Sequence, residues 1–273
     1  MSARRNLALC AAIILVVALL FTLNRRPPTE LAFLAVGQGD CALFQTAGKT
    51  VMIDTGPASG ARIVVDELRR RGVRRLDMVL LSHPDADHIA ALPQISRRVK
   101  IVRVVVPAYF RDHPDLQLAF RESGVQQNQI AWLAGPSEAR IGAFHMYMDI
   151  PPWVDGMPDN DGSMMVRIAS GNASVTFTGD AGFEEEIQMM KKGSWSAQIL
   201  KLGHHGSKFS TGDSWLDHVH PELAIVSCGR DNSYGHPTDE VLSKCSQKGV
   251  QVFRTDRQGS LTFRLSGGKW VKH

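Results

Sequence analysis

Leu80-Leu81-Ser82-His83-Pro84-Asp85-Ala86-Asp87-His88 is the stretch from which the fold and chemistry of this chain follow. The apolar run Met78 to Leu81 reads as a short strand, and it ends in a loop with four metal-competent side chains, His83, Asp85, Asp87 and His88, within six residues. A single loop His or Asp is commonly solvated or caps a turn. Four buried together with no counter-charge would cost several kcal/mol, so the loop is built to hold a cation.

Working outward, the chain first reads as a meander. Leu31 to Val36, Cys41 to Gln45 and Thr50 to Ile53 are strand-like and separated by turns at Gly37-Gln38-Gly39-Asp40 and near Gly48. Asp54-Thr55-Gly56-Pro57 ends the third strand, and Ala61 to Arg71 has the period of an amphipathic helix that stops at Gly72. Ile101 to Val106 reads as a strand, Asp115 to Ser123 as a helix, and Ile130 to Leu133 and Ala143 to Asp149 as further strands. After the Pro-, Asp- and Gly-rich loop Pro151 to Gly162, strands are expected at Met164 to Ala169, Ser174 to Thr178, Ala197 to Leu202 and Leu223 to Ser227. A helix with Glu184, Glu185 and Glu186 follows the second of these, and helix Thr238 to Lys248 leads to strands Val250 to Arg254 and Ser260 to Leu265. Hairpins followed by strand–helix alternation, in both halves, describe two sheets packed face to face with helices outside.

Every other candidate ligand falls where a strand ends. Asp180 follows the strand ending at Thr178, His204 and His205 follow Leu202, and His236 lies in the loop after Ser227. Strand ends converging on one rim are a common way to place a rigid site.

In order along the chain, Asp54-Thr55-Gly56, His83-x-Asp85-x-Asp87-His88, Thr178-Gly179-Asp180 and His204-His205-Gly206-Ser207 resemble the motifs of the metallo-β-lactamase superfamily. Together with Val36-Gly37-Gln38-Gly39-Asp40, Tyr234-Gly235-His236-Pro237 and Arg254-Thr255-Asp256, they resemble the C-terminal hydrolase domain of ComEC-type DNA-uptake proteins over roughly residues 31 to 265. The resemblance implies an α+β fold, a four-layer αββα sandwich, with one or two divalent ions. It implies that His83 and Asp85 serve a first metal and Asp87 and His88 a second. Asp180 would bridge, with His204 or His205 as the late ligand; adjacent side chains leaving a strand diverge, so one of the two is expected to coordinate.

Two positions depart from the superfamily pattern. Asp85 stands where most members have a second loop histidine, and the mid-chain histidine is missing, with Asp159-Asn160-Asp161-Gly162-Ser163 in that region. His145 sits within an alternating strand pattern and reads as structural. Three carboxylates make Mn²⁺ or Mg²⁺ competitors of Zn²⁺. Two such ions, about 3.5–4 Å apart, would clamp a phosphodiester and lower the pKa of a bridging water. Asp87 would orient or deprotonate that water. His236 would steady a phosphate oxygen or protonate the leaving group, or else be a capped turn. Asp40 and Asp54 read as groups that support ligands or cap turns, and Ser207 as a cap or a substrate contact.

The N-terminus has a different composition. Leu7 to Leu23 is a run of 17 uncharged, largely apolar residues between Arg4-Arg5 and Arg25-Arg26, the lower limit for a helix that spans a bilayer. No small-x-small cleavage site follows it. The expectation is a signal anchor at residues 1–26, a linker at 27–30 and a hydrolase domain at 31–273, membrane-anchored with the domain outside the cytoplasm; arginines on both flanks leave either orientation open. ComEC-type proteins carry a multi-helix channel, whereas this sequence has one apolar segment. Cys10 lies in that segment, and Cys41, Cys228 and Cys245 form no CxxC or disulfide framework.

Four of the 31 Lys and Arg lie in the appendage, leaving 27 basic and 27 acidic residues in the remainder. A net charge of zero argues against tight nucleic-acid binding through overall field. Local clusters remain, at Arg69 to Arg75 and Arg97 to Arg103, as solvated faces or phosphate contacts. The leading functional expectation is a metal-dependent phosphodiesterase or nuclease related to DNA uptake. Single- or double-stranded DNA, the membrane and an uptake channel would be its partners. The alternatives are a hydrolase of small esters, lactones or lactams, and a non-catalytic membrane-anchored module that binds DNA or a partner.

Overall fold

The strands are apolar on both faces, and this stacks the chain into layers. A computed structural model describes residues 28–273. Its strands are β1 (Glu30–Phe33), β2 (Ala42–Thr46), β3 (Lys49–Ile53), β4 (Arg75–Leu76), β5 (Met78–Leu80), β6 (Lys100–Ile101), β7 (Val104–Pro107), β8 (Ile130–Leu133), β9 (Ser137–Ile141), β10 (Phe144–Asp149), β11 (Met165–Ser170), β12 (Ala173–Phe177), β13 (Ile199–Lys201), β14 (Leu223–Val226), β15 (Gln251–Arg254), β16 (Leu261–Ser266) and β17 (Lys269–Lys272). One sheet runs β17-β16-β1-β2-β3-β5-β7-β8 and the other β15-β14-β13-β12-β11-β10-β9, while β4 and β6 form a separate two-stranded pair.

The period of two sorts the core into three slabs. Leu31, Phe33, Val51, Leu80 and Val105 of the first sheet meet Phe144, Met146, Val166 and Ile199 of the second. The alternate residues Ala32, Met52, Val79 and Val104 face outward onto Val64 and Leu68 of helix Ala61–Arg70 and onto Leu92, Leu116 and Phe120. On the other side Met165, Leu200 and Ala224 pack on Met189, Trp215 and Val241 of the outer helices. The architecture is therefore mixed α+β, with two sheets inside and helices on both outer faces.

Helix Ala61–Arg70 buries Ala61, Val64 and Leu68, one stripe at helical spacing. It ends at Gly72, whose φ of +67° suits a residue without Cβ. Strands β3, β5, β7 and β8 are parallel, as are β12, β13, β14 and β15, so the C-terminal ends of both parallel blocks are free to carry functional loops.

Several sequence expectations need correcting. Ile101 to Val106 is two strands, because Lys100–Ile101 pairs with Arg75–Leu76 while Val104–Pro107 joins the main sheet. Strands β9 and β17 and helix Asp213–Val219 were not anticipated; that helix has only seven residues, too few for its period to stand out. The two arginine-rich runs meet, with the Lys100 backbone N–H donating to the Arg74 carbonyl at 3.1 Å. Arg70, Arg71 and Arg75 are taken up by Glu67, Glu30 and Asp77. Arg69, Arg74 and Arg98 line a groove between helix Ala61–Arg70 and the segment from Gln94 to Val99. No helix among the described residues is long and apolar enough to cross a membrane, and the expected anchor at residues 1–26 lies outside the described residues.

Candidate metal centre

Strand β3 ends at Asp54, held at a φ of +54°, a conformation that Asp tolerates better than most residues. From there its carboxylate takes the Ser82 backbone N–H at 2.7 Å and the Ser82 hydroxyl at 2.9 Å. Asp54 Oδ2 also lies 2.9 Å from His88 Nδ1, so that nitrogen carries a hydrogen and Nε2 is the atom turned toward the centre, 3.4 Å from Asp180 Oδ2. The Ser82 hydroxyl spends its proton on Asp54 and therefore accepts from His83 Nδ1 at 3.0 Å. His83 Nε2 and His88 Nε2 are buried and without a partner.

His205 follows the same logic. Its Nδ1 donates to the Ser227 carbonyl at 2.9 Å, which turns Nε2 toward Asp87 Oδ2 at 3.0 Å and Asp180 Oδ2 at 3.4 Å. A neutral imidazole there would aim a lone pair at two carboxylates. The arrangement is stable with a cation between them, either a proton or a metal.

Asp87, His88, Asp180 and His205 each offer a ligand atom, all within 4.8 Å of one another. His83 Nε2 lies 3.7 Å from Asp85 Oδ2, and His204 Nε2 lies 3.9 Å from Asp180 Oδ2. Asp180 is thus approached by His88, His204 and His205, and its Oδ1 is a further buried atom without a partner. The donor set, with three orphaned buried atoms, fits one or more divalent cations.

Charge is finely balanced at this rim. Burial alone would raise the Asp180 carboxyl, but the His205 and His88 imidazoles outweigh it and hold the group well below the carboxylate range. Burial likewise opposes ionisation of Asp87, and His205 and His88 overcome it. The His83 ring lowers Asp85, against burial. Burial pulls His205 down, yet Asp180, Asp40 and Asp87 push it up to about 10. His88 also stands well above its ordinary value, because Asp180 and Asp54 prevail over burial.

His204 and His205 have φ of +46° and +54°, so the chain turns here instead of continuing as a strand. His205 joins the cluster, with Nε2 3.4 Å from Asp180 Oδ2, while His204 stands off at 3.9 Å from the same oxygen. His236 lies further out, its ring 5.6 Å from that of His204. His145 is exposed on β10 with Arg140, apart from the centre. Ser207 accepts the Phe209 backbone N–H at 3.3 Å and is buried, which makes it a turn cap. In the segment where a mid-chain histidine was missing, Ser163 is buried between the two sheets' ends. Its hydroxyl takes the Asp180 backbone N–H at 3.0 Å and lies 3.3 Å from His83 Nδ1.

A profile of the Metallo-beta-lactamase superfamily matches residues 34–230. This chain belongs to that superfamily. As a metallo-β-lactamase-fold protein it resembles ComE operon protein 3 of Bacillus subtilis (strain 168), 31% identical over 258 residues that cover 86% of this chain and 33% of that protein. It is equally similar to Competence protein ComA of Neisseria gonorrhoeae, 31% identical over 241 residues, 85% of this chain and 32% of the relative. The chain therefore spans about a third of the length of the curated relatives it matches. Among solved structures it superposes on the metallo-beta-lactamase fold protein YhfI from Bacillus subtilis with a TM-score of 0.57, 13% identity, and coverage of 87% of this chain and 100% of YhfI.

Lys201 is the residue that sequence reading missed. It lies on β13 with its ammonium 2.7 Å from Asp40 Oδ2, and both side chains are buried. Asp40 in turn sits 3.5 Å from His205 Nδ1. Burial would raise Asp40, but Lys201 and then His205 hold it far below the carboxylate range. The signal was available, since Ile199-Leu200-Lys201-Leu202 places one charge inside an apolar strand, and such a charge needs a partner. The Gly37-Gln38-Gly39-Asp40 turn is pressed against the metal loop. A Cβ on Gly39 would lie 2.3 Å from the Asp87 carbonyl oxygen, and the Asp40 N–H donates to that same carbonyl at 3.2 Å.

Proposed function

We propose that this chain is a metal-dependent phosphodiesterase acting on nucleic acid, working beside a DNA-uptake channel. The observation that carries this reading is the cluster of Asp87, His88, Asp180 and His205, whose ligand atoms lie within 4.8 Å of one another, with His88 Nε2 and Asp180 Oδ1 buried and unpartnered and the His83 ring 4.1 Å from that of His88. In this assignment His83 and Asp85 would hold one cation and Asp87, His88 and His205 a second, Asp180 would be available to both, and His204 would stand at the edge. A bound divalent pair supplies Lewis acidity to a phosphoryl oxygen and lowers the pKa of a water. Three carboxylates favour hard ions, so Mn²⁺ and Mg²⁺ compete with Zn²⁺.

The chain's own groups do the rest. The Asp87 side chain is one-third exposed and held below the carboxylate range, so it is ionised at neutral pH and can accept a hydrogen bond from an incoming water and orient it. His236 is kept below its ordinary value by burial and by the neighbouring His204. It is neutral at pH 7, its Nδ1 is unpartnered, and it can donate its N–H to a phosphate oxygen or to the leaving group. Nucleic acid as substrate is supported by the competence relatives. The family match over residues 34–230 supports placing the hydrolase domain at 31–273, and the apolar run Leu7 to Leu23 with Pro27-Pro28 supports a membrane anchor at 1–26 and a linker at 27–30, the domain lying outside the cytoplasm.

Purified protein is assayed on single-stranded DNA, duplex DNA, bis-p-nitrophenyl phosphate and nitrocefin with Mn²⁺, Mg²⁺ or Zn²⁺. Turnover of the phosphodiesters, abolished by Asp87→Ala, is expected. Turnover of nitrocefin alone would favour the small ester, lactone or lactam reading. DNA binding with no turnover and less than one equivalent of bound metal would favour a non-catalytic module.

A further inference from the structure

The described residues hold 27 basic and 27 acidic side chains, so overall field supplies little grip on a phosphate backbone. Local contacts at the rim must add to the attraction of single cations such as Lys208 and Arg230.

The rim offers a candidate. Tyr234 is 68% exposed, and its ring lies nearly parallel to that of His236, 5.8 Å away and inclined by 24°. The His236 ring meets His204 at 5.6 Å, and His204 Nε2 is 3.9 Å from Asp180 Oδ2. Three rings thus run in file from solvent to the centre. The loop that carries Tyr234 is clamped. The Asn232 amide donates to the Gly229 carbonyl at 3.0 Å and the His236 carbonyl at 2.7 Å, and its oxygen accepts the His236 N–H at 3.0 Å. The loop is also tied to the histidine turn, since the Thr238 N–H donates to the Gly206 carbonyl at 3.0 Å. On the neighbouring turn Phe209 is 63% exposed, with the Lys208 ammonium 5.0 Å above its ring. A large ring held rigidly in solvent is preorganised to stack on a flat partner.

We infer that Tyr234, backed by His236 and His204, is a stacking platform for an unpaired nucleobase next to the phosphate at the metal centre, with Phe209 a second ring for a neighbouring base. This deepens the phosphodiesterase reading and rests on it. Aromatic stacking tolerates any base sequence because every base has a π-face. In a duplex each base is already stacked on both sides, so the platform selects single strands or frayed ends. Tyr234 is here a specificity-determining residue, apart from the groups that handle protons.

The test is fluorescence anisotropy on the full chain in detergent, with metal omitted so that nothing is cut. The probes are a short thymidine oligonucleotide, an abasic strand of equal length and a blunt duplex. The wild type is expected to bind the base-bearing strand about tenfold tighter than the abasic strand or the duplex. Tyr234→Ala is expected to erase that preference and Tyr234→Trp to keep it. Equal affinities for the base-bearing and abasic strands in the wild type, or a preference that survives Tyr234→Ala, would overturn the inference. Failure of the wild type to cleave bis-p-nitrophenyl phosphate with any metal would instead sink the phosphodiesterase reading, while the base preference stands or falls on its own binding data.

Discussion

Lys201→Met tests whether the centre is supported from beneath by a buried charge pair. The Lys201 and Asp40 side chains are 3% and 9% exposed, with 2.7 Å between Nζ and Oδ2, and Nζ also donates to the Leu202 carbonyl at 3.0 Å. Methionine keeps an unbranched stem of similar length, so packing is largely preserved and the ammonium alone is lost. Asp40 is then left buried with His205 Nδ1, 3.5 Å away, as its nearest cationic group. Breaking a buried pair by removing one partner costs about 3–5 kcal/mol, and partial compensation by His205 places this case near the lower figure. At roughly 2–4 °C per kcal/mol for a domain of this size, Tm falls by about 6–12 °C. The measurement is urea unfolding of metal-free protein, followed by fluorescence of the buried Trp195 and Trp215. Because Asp40 is depressed in the fold, the stabilisation in the wild type is complete above the ordinary aspartate value and fades only as pH falls through the folded one. Adding Asp40→Asn removes the stranded charge and should restore more than half of the loss. A cost under about 1 kcal/mol, or a double variant no more stable than Lys201→Met, would refute this account.

Asp54→Asn leaves His88 Nδ1 without its anionic partner at 2.9 Å and should weaken metal affinity by about 10- to 100-fold, read by chelator competition. Gly39→Ala drives a methyl group to within 2.3 Å of the Asp87 carbonyl at a backbone φ of +143°; turnover should fall by about 100-fold, a misplacement effect that an unchanged crystal position of Asp87 would disprove. In the metal-free protein His205 is raised from 6.5 to about 10, so the stability it contributes is full below pH 6.5 and is lost as pH rises toward 10. Metal-loaded protein should lack that loss, and calorimetry in buffers of different ionisation enthalpy should show protons released on metal binding at pH 7.

Much of this was legible in the sequence because the signals were local. The two-residue period of Leu31 to Val36 or Ala143 to Asp149 announces a strand whatever lies across from it, and the density of His83 to His88 announces a cation. The short helix Asp213–Val219 was hidden because it depends on a tertiary cap: the Glu186 carboxylate takes the Thr211 and Gly212 N–H groups at 2.6 and 2.9 Å, starting the helix from 25 residues away. The direction of His204 and His205 was hidden for a similar reason. Their left-handed backbone belongs to a turn fixed by the Ser207 N–H on the His204 carbonyl and the His204 N–H on the Gly179 carbonyl, and strand alternation says nothing about it. Lys201 was written plainly in β13, but its partner Asp40 is 161 residues earlier and no local pattern joins them.

That pair also explains how so oxygen-rich a centre remains foldable. Asp40, Asp54, Asp85, Asp87 and Asp180 bring five formal negative charges to one rim, and Lys201 cancels one of them from below. The remaining four match the charge of the proposed pair of divalent cations. Without metal, protons on His88 and His205 take part of that place, consistent with the raised values of both rings, and the site stays charged enough to draw cations in. An imidazole in place of Asp85, or a further one at the position of Ser163, would lower the negative charge and soften the donor set. Ser163 instead spends its hydroxyl on the Asp180 N–H at 3.0 Å, against a Gly179 turn where any Cβ would come within 2.7 Å of the Ser163 Cβ, so it holds the bridging candidate in place without joining the donor set. The proposed preference for hard ions therefore rests on the choice of ligands.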